Sequence, residues 1–197
     1  MQLQDITVRP IACSESDRYS DLMRTHHYLG DARPRGEALR YVALWQGHWV
    51  ALISFSSAAL KCAARDRWIG WSSRHQFDRL NLVTNNSRFL ILPQWHVPNL
   101  ASRVLSLCQR RIGANWQAQF GHPLLLLETF VDPSRFRGTL YRAANWRFLG
   151  LTQGYRRIGE RYEAHACPKQ VLAYPLQRNA LRLLSQPLLD PRYQTGA

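Results

Sequence analysis

Two short apolar runs enclosing an amphipathic segment constrain this chain more than any other feature. Residues 89–92 (Phe-Leu-Ile-Leu) stop at Pro93, and residues 124–131 stay almost wholly apolar up to Asp132-Pro133. Between them Asn99 stands at a helix start, and Leu100, Val104, Leu107 and Ile112 keep helical spacing. Runs without polar alternation suit strands covered on both faces. A strand, a crossover helix and a second strand put the two strands side by side and parallel. Residues 89–92 and 124–131 are therefore predicted to be neighbouring parallel strands.

The rest of the chain adds to that unit. Ser14 or Ser16 opens a predicted helix over 16–27, closed at Gly30, and a basic loop follows over 31–36. Residues 39–45 and 48–55 read as a hairpin turning at Gln46-Gly47. Residues 56–87 carry no clear period, and short helices and loops are expected there. A short helix is predicted over 137–145, a strand over 146–151, further strands over 162–165 and 171–174, and a last helix over 176–184. The expected fold class is α+β, a mixed and partly parallel sheet flanked by helices. At 197 residues, a single domain over 1–197 has room for a proper core.

Composition then narrows the partners. Twenty-six basic against thirteen acidic residues leave a net charge of +13, and the only lysines are Lys61 and Lys169. Arginine's planar fork suits phosphate oxygens, so this excess points to DNA ahead of acidic lipid or acidic protein. No stretch reaches the length of a membrane span, and the start lacks a charged region followed by an apolar run, so a cytoplasmic location is expected. Cys13, Cys62, Cys108 and Cys167 are widely spaced, with no CxxC pair; buried reduced thiols are expected, not zinc.

Several longer motifs resemble one family. These are Thr25-His26-His27-Tyr28-Leu29-Gly30, Arg65-Asp66-Arg67-Trp68-Ile69-Gly70-Trp71-Ser72 and Asn85-Asn86-Ser87-Arg88-Phe89-Leu90-Ile91-Leu92-Pro93. Asn99-Leu100-Ala101-Ser102, Leu127-Glu128-Thr129-Phe130-Val131-Asp132 and Gly138-Thr139-Leu140-Tyr141-Arg142-Ala143-Ala144-Asn145-Trp146 complete the set. In this order they resemble the DruA family, which implies a domain of the Druantia anti-phage system or a transposase-associated one. The chain departs from that family after Gly150, where Thr152-Gln153-Gly154-Tyr155 stands in place of a Thr-Lys-Gly-Arg run. The element order also resembles the GNAT N-acetyltransferase fold, which implies a coenzyme A pyrophosphate loop before the long helix. Here that place reads His96-Val97-Pro98-Asn99-Leu100-Ala101, without glycine and with one N–H removed by Pro98. No cofactor is expected, and no metal-ligand spacing indicates a divalent ion.

The candidate catalytic residues are His26, His27, Tyr28, Asp66, Glu128 and Asp132. Imidazole moves protons near neutral pH, although histidines at a helix C-terminus also suit its dipole. Glu128 lies in so apolar a run that it needs a partner or a task, with Arg88 the expected partner. Glu128 and Asp132 would stand about 13 Å apart on an extended strand, and Asp66, between Arg65 and Arg67, reads more readily as a solvated ion pair than as a catalytic group. Lys61, Arg65, Asn85, Asn86, Arg88, Arg142, Asn145, Arg156 and Arg157 are the candidate nucleic-acid contacts. Trp68, Trp71, Trp95 and Trp146 could stack on bases, though indole is more often core. The leading expectation is a DNA-binding domain of phage defence or transposition that can also act as a nuclease, its site where the His26-His27 helix end, Asp66 and the end of strand 124–131 converge. The alternatives are a GNAT-type acyltransferase and a non-catalytic docking module for a transposase or helicase.

Overall fold

The computed structural model describes residues 1–31, 36–158, 161–164 and 167–194. Its centre is a seven-stranded mixed sheet. Strands β1 (Thr7–Pro10), β2 (Ala38–Trp45), β3 (His48–Ser57) and β4 (Val83–Ile91) run antiparallel in succession. Then β5 (Leu126–Val131) joins β4 in parallel. β6 (Arg147–Leu151) forms the far edge, because β9 (Gln170–Pro175) inserts between it and β5. Between β6 and β9, β7 (Tyr155–Ile158) and β8 (Arg161–Ala164) form a separate two-stranded sheet. The predicted strand over 162–165 thus belongs to that ribbon and does not extend the main sheet; His165 and the basic loop residues 32–35 lie outside the described residues.

The β2–β3 hairpin turns where expected, with positive φ at both Gln46 and Gly47, the twist that a two-residue hairpin favours. The long helix α4 (Leu100–Phe120) buries Leu100, Val104, Leu105, Cys108, Ile112 and Trp116, a stripe at helical spacing. That stripe packs on Tyr41, Ile53 and Phe55 of the hairpin and on Leu127 and Val131 of β5. Asn99 occupies the cap position but in a left-handed conformation and without a side-chain capping bond, contrary to the expected cap. On the opposite face α1 (Ser16–His26) buries Tyr19 and Met23 against Val42, Leu52 and Leu90. Beside it α2 (Ala63–Ile69) and α6 (Ala180–Ser185) cover Val83, Leu126 and Ala173, and α3 (Ser73–Arg79) follows α2. The short α5 (Thr139–Ala143) borders the α4 face.

The unassigned stretch 56–87 resolves into α2, α3 and, unexpectedly, the first half of β4. Thr84-Asn85-Asn86-Ser87 does not read as strand because asparagine is depleted there. Strand is nonetheless accommodated where the side chains of Thr84 and Asn86 are met internally: Thr84 Oγ1 donates to the Ser56 carbonyl at 2.7 Å, and Asn86 is bonded on all sides.

Candidate functional site

β4 and β5 pair only at Val83↔Leu126, Thr84↔Leu127 and Asn85↔Glu128. Beyond that point each strand follows its other neighbour: β4 stays on β3 to Ile91, and β5 stays on β9 to Val131. The sheet therefore splays open along the parallel pair. The expected parallel neighbours are present, but they meet at residues 83–85 and have parted by 89–92.

A bulge begins the splay. Ser54 faces Arg88 while Phe55 faces Asn86, which leaves Ser87 as the extra residue on β4. Asn86 fixes that corner: its Nδ2 donates to the carbonyls of Ser54 (3.0 Å) and Arg88 (3.1 Å), and its Oδ1 accepts from the Tyr141 hydroxyl (2.6 Å). Thr129 Oγ1 donates across the gap to the Asn86 carbonyl at 3.0 Å. Tyr141 reaches the corner from α5, which Gly138 opens in a left-handed conformation.

The splay holds a cavity of about 270 Å³ whose walls include His27, Tyr28, Asn85, Arg88, Phe136 and Lys169. Arg137 adds a third cationic side chain, and among the described residues no carboxylate lines the space. His27 ends α1, and its Nδ1 accepts from the Leu29 N–H at 3.2 Å. The proton of the neutral ring therefore sits on Nε2. Burial, and then the Arg88 charge, push the His27 pKa down to about 4. At neutral pH this imidazole is an uncharged donor. Burial first, and Asp132 second, raise the Tyr28 phenol, so it too remains a donor. Tyr28 meets Phe136 at 5.3 Å between ring centroids, with the Arg135 guanidinium 5.2 Å from its ring. Arg88 is held by the carbonyls of Gly30 (3.1 Å) and Ser87 (2.7 Å).

The remaining candidates lie elsewhere or serve other purposes. Glu128 points to the α2 side and is fully buried; its partner is Arg65, not Arg88. Arg65 Nη1 bonds Glu128 at 3.0 Å, its Nε bonds Asp66 at 2.8 Å, and the Ala59 N–H closes on Glu128 at 2.9 Å. Arg65, Asp66 and Glu128 thus form one closed cluster, and none of them lines the cavity. Arg65 is wholly buried, which leaves it no phosphate-facing surface. Asp132 follows β5 and accepts from the N–H and hydroxyl of Ser134 (3.0 and 2.6 Å), an interaction that holds its carboxyl below the usual range. His26, Lys61, Arg142 and Asn145 are exposed, and the side chains of Arg156 and Arg157 lie outside the described residues. Trp146 is core, while Trp68, Trp71 and Trp95 are partly covered. Among the described residues no group of three or more His, Cys, Asp and Glu could hold a metal.

Sequence reasoning did not single out Phe136, Arg137 or Lys169. Lysine's rarity in so arginine-rich a chain was the one available signal for Lys169. Phe136 and Arg137 carry none, because a polar loop after a strand has no period to betray it.

The family described as Druantia protein DruA matches residues 7–160. The chain belongs to the DruA family. No curated protein sequence matches it. In structure this DruA-family chain is similar to the ribosomal-protein-S18-alanine N-acetyltransferase of Escherichia coli, with a TM-score of 0.55 and 9% identity over 87% of this chain and 94% of that one. It is also similar to the aminoglycoside acetyltransferase AAC(6')-Ib, with a TM-score of 0.53 and 15% identity over 90% of this chain and 97% of that one. At such identities the likeness shows a shared GNAT fold. No described helix is long and apolar enough to cross a membrane.

The neighbours' fold implies coenzyme A, and the turn before α4 is where the fit is tested. Val97 and Leu100 spend their N–H groups on the carbonyls of Trp95 and Val97, and Pro98 has none. The cavity is not lined by this turn. This turn thus offers a pyrophosphate fewer N–H donors than a glycine-rich loop would.

Proposed function

We propose that this DruA-family protein acts on DNA in phage defence, holding the strand through arginine-rich surface that continues into the β4–β5 splay. The observation that carries this reading is the charge: +13 overall, with Arg88, Arg137 and Lys169 meeting in one cavity that, among the described residues, no carboxylate lines. Such a surface attracts a polyanion by releasing its counterions. His27 and Tyr28 serve as neutral donors to phosphate oxygens beside the Arg88 charge, in keeping with their pKa directions. The Arg65–Asp66–Glu128 cluster is structural in this reading. Asp132, held ionised by Ser134, is the carboxylate best placed near Tyr28 for any proton transfer. The direct test is a gel-shift assay with labelled single- and double-stranded DNA, with and without magnesium. Shifted complexes at low salt are expected, and unshifted DNA at high protein concentration would contradict the reading. The magnesium arms report strand cleavage, and His27→Ala and Asp132→Asn variants report which group serves it.

A second reading, an acyltransferase, is favoured by the fold and by the acetyltransferases that share it, one of which binds coenzyme A and kanamycin. Against it stands the turn 96–101 described above.

A further inference from the structure

The cavity's chemistry is narrower than a general anion site. Its mouth carries two aromatic rings, Tyr28 and Phe136, which remain 41% and 48% exposed although they touch each other. Large rings left this open beside cations are stacking surfaces for flat π-systems. Asn85 on the wall adds a second constraint. Its Oδ1 is shielded and has no hydrogen-bond partner, whereas the neighbouring Asn86 has all its polar atoms met. An unmet buried acceptor is unfavourable, and a ligand offering an N–H would relieve it. Bare phosphate has no such donor.

We infer that the β4–β5 splay is a pocket for a single nucleotide, its phosphate held by Arg88, Arg137 and Lys169, its base against Tyr28 and Phe136 and its edge toward Asn85. The inference rests on the DNA reading only for the ligand's source. The same chemistry fits one nucleotide turned out of a DNA strand or a free mononucleotide. Turning a base out of a strand costs a few kcal/mol, least for a strand already single. A ring-lined, cation-rimmed cavity beside a basic surface is suited to recover that cost.

The experiment uses the full chain and two probes. The first is a short single-stranded oligonucleotide carrying one central fluorescent adenine analogue. The second is dAMP, with inorganic phosphate as its control, read by thermal shift. Phe136→Ala and Lys169→Gln alter side chains that are at least partly exposed, so both variants are expected to fold. For a nucleotide taken from a strand, the analogue's emission changes on binding. Each variant then weakens binding about tenfold and removes that change. For a free nucleotide, dAMP raises the melting temperature of the wild type and not of the variants, even where the oligonucleotide fails to bind. That outcome would sink the DNA reading and keep the pocket. Oligonucleotide bound equally by wild type and variants, with unchanged emission, would overturn the pocket and leave the DNA reading intact. Stabilisation by phosphate equal to that by dAMP, or no response to either probe, would also overturn it.

Discussion

Glu128 shows how strongly one residue's surroundings decide its role. Burial pushes its carboxyl pKa up, and the Arg65 guanidinium pulls against that. Arg65 donates at once to Glu128, to Asp66 and to the Ala59 carbonyl. Removing one partner of such a pair leaves a buried charge unmet, at a cost of about 3–5 kcal/mol. Arg65→Met is accordingly expected to lower unfolding stability by about that amount in urea denaturation, and Glu128→Gln, which keeps an acceptor for Arg65, by clearly less. Equal losses would argue against the pair as drawn. His27 provides a second test at this scale. Its folded pKa lies near 4, below the ordinary 6.5, so the unfolded chain binds more protons between those values. Its contribution to stability is therefore complete above pH 6.5 and is lost as pH falls toward 4. A proton NMR titration should find the ring neutral at pH 5.5. In Arg88→Gln the midpoint should move upward, because the smaller of its two causes is gone.

Among the elements, the long helix was legible from its clean period, the hairpin from its turn between two apolar runs, and β5 from an unbroken apolar run. The parallel pairing was legible from their order alone. The splay was not. It depends on a bulge at Ser87 and on polar groups of Asn86, Thr129 and Tyr141 closing on one another across three elements. No local pattern encodes a contact between residues 86 and 141. The same blindness hid the first half of β4, and it joined Glu128 to Arg88, its neighbour in the strand pattern, when the partner came from α2. β1 is short and carries too few residues to show alternation. The Asn86 corner gives the prediction for this scale. Asn86→Ala removes the side-chain donor to two carbonyls and the acceptor of the Tyr141 hydroxyl, which keeps only Thr129, at about 1–3 kcal/mol for each group left unmet where water cannot reach. A loss of about 3 kcal/mol in chemical denaturation is expected. A loss under 1 kcal/mol would mean that the corner is not what holds the strands apart.

For the whole molecule, the fold and the charge point in different directions, and the turn before α4 is where a ligand measurement separates them. With Val97 and Leu100 bonded within that turn and Pro98 lacking an N–H, acetyl-CoA at millimolar concentration is expected to leave the melting temperature unchanged. A saturable rise would restore the acyltransferase reading. The charge, by contrast, is spread over the whole chain, although Arg65 and Arg79 are buried and lend no surface to a ligand. Binding through this charge is read from the salt dependence of DNA affinity, taken by fluorescence anisotropy across a series of salt concentrations. Each duplex phosphate neutralised contributes about −0.9 to the slope of log K against log salt. Binding through an arginine-rich surface that reaches into the splay predicts a slope of about −4 or steeper, shallower by about one in Arg137→Gln. Affinity that is absent at low salt, or level from low to moderate salt, would contradict the claim.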